Sequence, residues 1–161
     1  MMNKQYELCP VCTEIAKTKF AMKRDPSLHD RCEPRFPYGI TASGDDGNKP
    51  GNVDDGEFTT RWAVNGSGQW LQLDQGSEQT VSGVDIAWYK GGQRKSNYAI
   101  SASLDGTTFA DVATGQSSGL GDRKERIGFA PVKARYVRVT VNGNTLSSWA
   151  SFTEASACII E

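Results

Sequence analysis

The sequence has no long hydrophobic run, no excess of one charge and only one histidine, His29. A bilayer-spanning helix needs about 18 or more consecutive apolar residues, and no such stretch is present. The formal net charge of -1 over 161 residues creates no overall field that would attract nucleic acid or a membrane surface. We therefore expect neither a membrane span nor a nucleic-acid partner.

The N-terminus also lacks the apolar core of a secretory signal peptide. The residues by themselves leave two origins open: a cytosolic protein, or a segment of a longer exported protein.

Few of the features that catalysis requires are present. Neither a His-Glu-x-x-His motif nor a phosphate-binding loop occurs. Two pairs of adjacent carboxylates, Asp45–Asp46 and Asp54–Asp55, lie in turn-like segments, where neighbouring side chains point apart. A lyase could use Tyr89 together with Lys90 or Arg94, but no second catalytic cluster is recognisable. We expect a protein that is not an enzyme.

The composition changes near residue 36. Before it, charged residues are dense and glycine is absent, whereas after it Gly, Ser, Thr and Val alternate with aromatic residues. We predict an N-terminal extension over residues 1–35 and a separate domain over residues 36–161. Within the extension, Thr13 as a cap and the Asp25-Pro26 pair as a stop predict one short helix over residues 13–23.

The second domain has the alternating pattern of β-strands. Alternation predicts strands over 70–74, 80–89, 98–103, 135–141 and 151–160, with a turn at Asp105-Gly106. Short strands separated by Gly, Asp and Asn turns are typical of an all-β fold, either an antiparallel sandwich or a jelly roll.

Two segments carry unusual chemistry. In residues 54–62, carboxylates and hydroxyls surround Gly56 just before Trp62, and these are the oxygen ligands that calcium requires, since it binds about six to eight oxygen atoms. In residues 88–97, cations and aromatics surround a Gly-Gly turn, and aromatic faces with cations suit acidic sugars. The alternatives are a solvated acidic turn and an ordinary hairpin whose Trp88 points into the core.

Segments 54–62, 103–109 and 134–139, followed by Thr153-Glu154, resemble a discoidin-type domain, and most of all a family 32 carbohydrate-binding module. Residues 41–48, 68–74 and 84–91 are similar to modules appended to bacterial alginate lyases. The resemblance covers residues 38–160. It implies an antiparallel β-sandwich of the jelly-roll, galactose-binding-like type, preceded here by a short, partly helical extension.

The resemblance also implies two sets of site residues. A structural calcium ion would take side-chain oxygens from Asp55 and Glu154, the hydroxyl and carbonyl of Thr60, and the backbone carbonyls of Asn52 and Glu57. The implied ligand-binding residues are Trp88, Tyr89, Lys90, Arg94, Asn97, Asn144 and Trp149.

The function implied by the resemblance is non-catalytic binding of a polysaccharide, most suitably an acidic, alginate-type uronate. Such a module would hold a covalently attached polysaccharide-degrading enzyme close to its substrate, as a monomer outside a bacterial cell. The alternative is a discoidin adhesion module that binds a cell-surface glycan or protein.

The four cysteines could form disulfides, with three possible pairings, or three of them could join His29 in a zinc site. Cys9, Cys12, His29 and Cys32 have a spacing that could hold a tetrahedral zinc ion. The resemblance instead implies a disulfide between Cys32 and Cys158, because related domains join their first and last strands in this way. Zinc would leave Cys158 as a free thiol, so we favour the disulfide.

Overall fold

The computed structural model describes residues 32–160, which form eight β-strands and one short 3-10 helix, Pro50–Asp54. The strands are β1 (Glu33–Arg35), β2 (Gly39–Ala42), β3 (Trp62–Asn65), β4 (Gln69–Trp88), β5 (Ser96–Ser103), β6 (Ala110–Gln116), β7 (Lys124–Asn144) and β8 (Trp149–Ile160). All pairings are antiparallel, which confirms the all-β prediction. None of the helices described is long and apolar enough to cross a membrane. The helix predicted over 13–23 lies outside the described residues.

Two long, bent strands produce the sandwich. The register of β4 against β7 shifts between Asp74 and Gln79. Before this bend β4 pairs with β2 and with the last part of β7, and after it β4 pairs with β8 and with the first part of β7. The strands predicted separately over 70–74 and 80–89 are thus two arms of one strand. Because both long strands contribute to both layers, the sheet folds over its own apolar face, as the jelly-roll prediction requires.

Large side chains from both arms fill the core. Trp62, Trp88 and Phe152 are essentially inaccessible to solvent. The ring centroid of Phe152 lies 5.0 Å from that of Trp62 and 5.3 Å from that of Trp88. Burying one such side chain stabilises a fold by about 2–3 kcal/mol. The indole N–H of Trp62 donates to the Gly44 carbonyl over 2.8 Å, which attaches the loop after β2 to the core.

The first and last strands lie side by side. Glu33 pairs with Ile159, and a disulfide joins Cys32 to Cys158 with their Cα atoms 5.3 Å apart. The predicted disulfide is confirmed, and it leaves Cys32 without the thiolate that the zinc alternative needs. Residues 33–35, which the predicted division assigned to the extension, belong to this sheet. Cys9, Cys12 and His29 lie outside the described residues.

Candidate functional site

Two loops and the start of one strand meet at one end of the sandwich and enclose a cleft of about 300 Å³. The loop after β4 is joined there by the loop between β2 and β3 and by the start of β8. The lining residues are Asp46, Arg61, Ala63, Tyr89, Lys90, Arg94, Trp149 and Ser151. Four of the seven predicted ligand-binding residues, Tyr89, Lys90, Arg94 and Trp149, are thus brought into one cleft from distant parts of the sequence.

The ring of Tyr89 is surrounded by positive charge. The guanidinium carbon of Arg61 lies 4.3 Å from the ring centroid, the Lys90 ammonium 5.6 Å and the Arg94 guanidinium carbon 5.7 Å. Each distance is within the range of a cation–π interaction, which offsets part of the repulsion among the cations. The cluster creates a local positive field in a protein with almost no net charge.

Arg94 is the least solvated of these cations. Its Nε is buried and has no hydrogen-bond partner among the described residues. Burial, with a smaller contribution from the Arg61 charge, lowers the pKa of the Arg94 guanidinium. A buried donor without an acceptor is costly, so an anionic group entering the cleft would supply a partner that Arg94 lacks.

Backbone geometry fixes the loop that carries these cations. Lys90 has a φ of 56°, a left-handed conformation that is unfavourable for a residue with a side chain. Its carbonyl accepts the N–H groups of Gln93 and Arg94 over 2.9 and 3.2 Å, closing a tight turn. A Cβ on Gly91 would lie 2.3 Å from the Gly121 carbonyl oxygen, so only glycine permits this approach of the two loops.

Asp46 is the one carboxylate in the cleft lining. Hydrogen bonds from the backbone and side chain of Asn48, with a smaller contribution from the Arg61 charge, lower the pKa of the Asp46 carboxyl. Asp46 therefore stays ionised and can accept hydrogen bonds from hydroxyl groups of a ligand.

Sequence reasoning did not assign Arg61 to the ligand site. Arg61 belongs to the segment interpreted as a calcium loop, yet it directly precedes Trp62, whose side chain is in the core. Neighbouring residues of an extended segment point to opposite faces. A core position for Trp62 therefore predicts that Arg61, just before β3, points outward, and this was the signal by which the sequence could have identified Arg61 as a site residue.

Three predicted ligand-binding residues do not line the cleft. Trp88 is only 1% exposed and its ring packs in the core, so its two faces are unavailable to a ligand, and we remove it from the candidate set. The Asn97 side chain accepts a hydrogen bond from Gln116 Nε2 over 3.0 Å on the β5–β6 pair. Asn144 donates to Trp149 O over 3.0 Å and accepts the N–H groups of Leu146 and Ser147, which makes it a turn-forming residue.

The predicted calcium loop lies against β8. Asp55 accepts the backbone N–H of Glu57 over 2.9 Å and the hydroxyl of Thr60. Glu154 is buried, with an Oε2 that has no hydrogen-bond partner among the described residues. Burial and the neighbouring Asp55 carboxyl raise the pKa of Glu154 to about 7.

A cation fits these surroundings. Two facing carboxyl groups and a buried oxygen without a partner are the features that a bound positive ion would satisfy. Within residues 32–160 no cluster of three or more His, Cys, Asp or Glu side chains is placed to hold a metal ion. A calcium ion here would therefore need hydroxyl and backbone carbonyl oxygens, which Thr60, Asn52 and Glu57 can offer. The calcium assignment stays a prediction.

Residues 115–119 have the Gly-x-Ser-x-Gly spacing of a serine nucleophile motif, but their structure does not support that role. Ser117 is only 2% exposed, and its Oγ accepts the Ser96 N–H over 2.7 Å. No helix follows β6, whereas a nucleophile elbow lies between a strand and a helix.

Comparison with known proteins identifies the domain. A model of the F5/8 type C domain matches residues 39–155, while a search of curated proteins found no match. Among solved structures, the chain is similar to the family 32 carbohydrate-binding module of AlyQ in complex with 4,5-unsaturated mannuronic acid. The identity is 42% and the TM-score 0.74, over 75% of this chain and 94% of that one.

Two further structures are similar. Truncated AlyQ, which contains this type of module and alginate lyase domains, is 41% identical with a TM-score of 0.75, over 78% of this chain and 33% of that one. The chain thus spans about a third of that longer structure. A pectin-binding carbohydrate-binding module is 31% identical with a TM-score of 0.72, over 75% of this chain and 89% of that one. The chain therefore belongs to the F5/8 type C (discoidin) domain family and, within it, to the family 32 carbohydrate-binding modules.

Proposed function

We propose that this module binds uronate residues of an alginate-type polysaccharide in the cleft and does not cleave them. The observation that carries the proposal is the cluster of Arg61, Lys90 and Arg94 around the Tyr89 ring. A neutral sugar does not require three cations, whereas a carboxylate gains charge-assisted hydrogen bonds from each of them. The similarity to a module bound to an unsaturated mannuronic acid supports the same ligand class.

Each side chain of the cleft has a role in this proposal. Arg61 or Arg94 would hold the sugar carboxylate through two parallel N–H donors, because a guanidinium matches a carboxylate in geometry. The half-buried ring of Trp149 would contact the apolar face of the sugar. Asp46 and Ser151 would bind hydroxyl groups, which fixes the orientation of the ring.

The absence of catalysis is also part of the proposal. Cleavage of a uronate chain requires a positioned acid and base. The cleft lining has one carboxylate, Asp46, whose oxygen accepts hydrogen bonds from Asn48, and it has no histidine. We expect no unsaturated product, measured by ultraviolet absorbance, when the protein is incubated with alginate.

The position of the cleft suits a targeting module. The strand β8 begins at the cleft with Trp149 and ends beside the Cys32–Cys158 disulfide. At about 3.3 Å per residue, these two ends of β8 are roughly 35 Å apart. An enzyme attached beyond either end of the described domain would leave the cleft open. Because the module would tether that enzyme to its substrate, the local concentration of substrate at the enzyme would rise. The disulfide is consistent with an extracellular location.

A calcium ion between Asp55, Thr60 and Glu154 is proposed as a structural component. Bound calcium would neutralise the two carboxyl groups and attach the loop to β8. The loop also contacts the cleft, because the Asn52 side chain donates to the Arg61 carbonyl over 2.9 Å.

Titration with defined oligosaccharides tests the proposal. We expect alginate oligosaccharides to bind and neutral galactosides not to bind, with an affinity that falls as salt is added. Arg61→Ala should lower the affinity about tenfold or more, since it removes a charge-assisted bond. Lys133→Ala is the matched control, because Lys133 is an exposed cation near the bend of β7, far from the cleft. Binding to neutral sugars alone would contradict the uronate assignment.

A further inference from the structure

A second depression adjoins the cleft on the side of Arg94. Its volume is about 370 Å³, and Arg94 borders both spaces. The other side chains that line it are polar: Gln93, Lys95, Gln116 and Thr145. A ligand longer than one sugar could therefore continue from the cleft into this depression without leaving a polar surface.

Lys95 is held in this depression by its surroundings. Its backbone N–H donates to Thr145 Oγ1 over 3.1 Å, and its carbonyl accepts the Thr145 N–H over 3.0 Å. The aliphatic part of its side chain lies against Gly119, where a Cβ would come within 2.9 Å of Lys95 Cε. Among the described residues Lys95 forms no ion pair. This contact places the aliphatic part of the side chain beside the depression, and the exposed ammonium group is not neutralised by an ion pair within residues 32–160.

Gln116 is oriented in a similar way. The side-chain Nε2 of Gln116 donates to Asn97 Oδ1 over 3.0 Å. This bond uses one N–H donor of Gln116, and the side-chain carbonyl oxygen of Gln116 stays available to accept a bond from another partner. Asn97, outside the cleft, thereby positions a residue of the second depression. A cation beside a hydrogen-bond acceptor suits a sugar that carries both a carboxylate and hydroxyl groups.

We infer that this depression is a second subsite, which binds the uronate residue next to the one held in the cleft. Lys95 pairs with the carboxylate of that residue, and Gln116 accepts a bond from one of its hydroxyl groups. The inference rests on the proposed function, because it extends the same bound chain. Affinity should consequently depend on the length of the oligosaccharide.

The experiment compares mono-, di- and triuronates on the full 161-residue chain by isothermal titration, with amide chemical shifts to follow weak binding. The natural protein should bind the diuronate about fivefold or more tightly than the monouronate, as one additional charge-assisted bond predicts. Lys95→Met keeps the aliphatic part of the side chain and removes the charge. This variant should abolish the gain in affinity from monouronate to diuronate and leave the affinity for monouronate unchanged. Gln116→Ala should reduce that gain, and Lys133→Met should retain all of it.

The outcomes separate the two proposals. If monouronate binds through Arg61 and longer ligands bind no more tightly, the second subsite is wrong and the proposed function stands. The subsite is also wrong if the gain with length persists in Lys95→Met. If no uronate of any length binds, both proposals fail.

Discussion

At the scale of single residues, the cleft concentrates like charges that the surrounding structure holds together. Arg61, Lys90 and Arg94 share one aromatic ring, and Arg94 is partly removed from water without a hydrogen-bond partner for its Nε. Such an arrangement is unfavourable in the free protein and becomes favourable when an anion enters. Binding sites commonly carry this kind of local cost.

A substitution at Lys90 separates the cost of the cleft to stability from its contribution to ligand affinity. Lys90→Gly removes a side chain from a left-handed backbone position, with φ of 56° in the natural protein. The free energy of unfolding should stay unchanged or rise by up to about 1 kcal/mol, because strain relief exceeds the entropy that glycine adds to the unfolded chain. The affinity for alginate oligosaccharides should fall, because a cation of the cleft is lost. Denaturant unfolding and titration measure the two effects, and a fall in stability of more than about 1 kcal/mol would contradict the strain argument.

At the scale of structural elements, the cleft depends on loops that support one another. The loop after β4 lies against the loop between β6 and β7, where Gly91 meets the Gly121 carbonyl. The loop between β2 and β3 is attached through the Trp62 indole and through the bond from Asp46 N–H to Ala63 O. The positions of the cations are therefore determined by contacts between loops and by the core beneath them.

Two glycine substitutions test the loop contact as a matched pair. Gly91→Ala would place a Cβ 2.3 Å from a carbonyl oxygen, whereas a Cβ on Gly121 would have no atom within 4 Å. We expect Gly91→Ala to cost about 1–3 kcal/mol of stability and to weaken uronate binding. Gly121→Ala should change stability by less than about 0.5 kcal/mol. Thermal denaturation distinguishes them, and equal effects would show that the close approach is unimportant.

Removal of calcium tests the link between the predicted calcium loop, residues 54–62, and β8. An ion present at about 100 times its dissociation constant stabilises the folded state by about 2.7 kcal/mol. A chelator should therefore lower the melting temperature by several degrees, and added calcium should restore it. Glu57→Gln should retain the chelator effect, because Glu57 would bind through its carbonyl, whereas Asp55→Asn and Glu154→Gln should reduce it. An unchanged melting temperature in chelator, with no metal in the purified protein, would exclude the site.

At the scale of the whole molecule, the fold separates recognition from attachment. Both ends of the described domain lie beside the Cys32–Cys158 disulfide, at the opposite end of β8 from the cleft. The disulfide closes a loop with a sequence separation of 126 residues, and both cysteines are buried. The bond therefore constrains almost the entire described domain in its unfolded state.

Loss of this disulfide should destabilise the protein strongly. The double variant Cys32→Ala, Cys158→Ala should lose about 3–5 kcal/mol, as the chain-entropy model predicts for a loop of this length. Guanidinium unfolding, compared with that of the natural protein, measures the difference. The affinity of the remaining folded protein for uronates should be unchanged, because the cleft lies far from the bond. A cost below about 1 kcal/mol would mean that the unfolded chain is compact without the bond.

Alternation along the chain was sufficient to predict the main strands of the core, including β5 and β8 almost in full. The strands β1, β2, β3 and β6 and the first half of β7 were not predicted. For β1, β2 and β3 the reason is that three or four residues carry too little pattern and depend on pairing with β4 or β8. The bend of β4 at residues 74–79 was also not predicted. It arises from pairing with two different partners, which no local pattern records.

The sequence by itself determined the all-β architecture, the kind of domain and the chemistry of the loop that contains Lys90 and Arg94. Only the tertiary structure decided which side chains meet. It placed Trp88 in the core, assigned Asn144 to a turn, and brought Arg61 and Trp149 to the same cleft. The physical reason is that alternation and turn propensity act over a few residues. The cleft, in contrast, is assembled from loops tens of residues apart, and their meeting depends on how β4 and β7 fold the sheet.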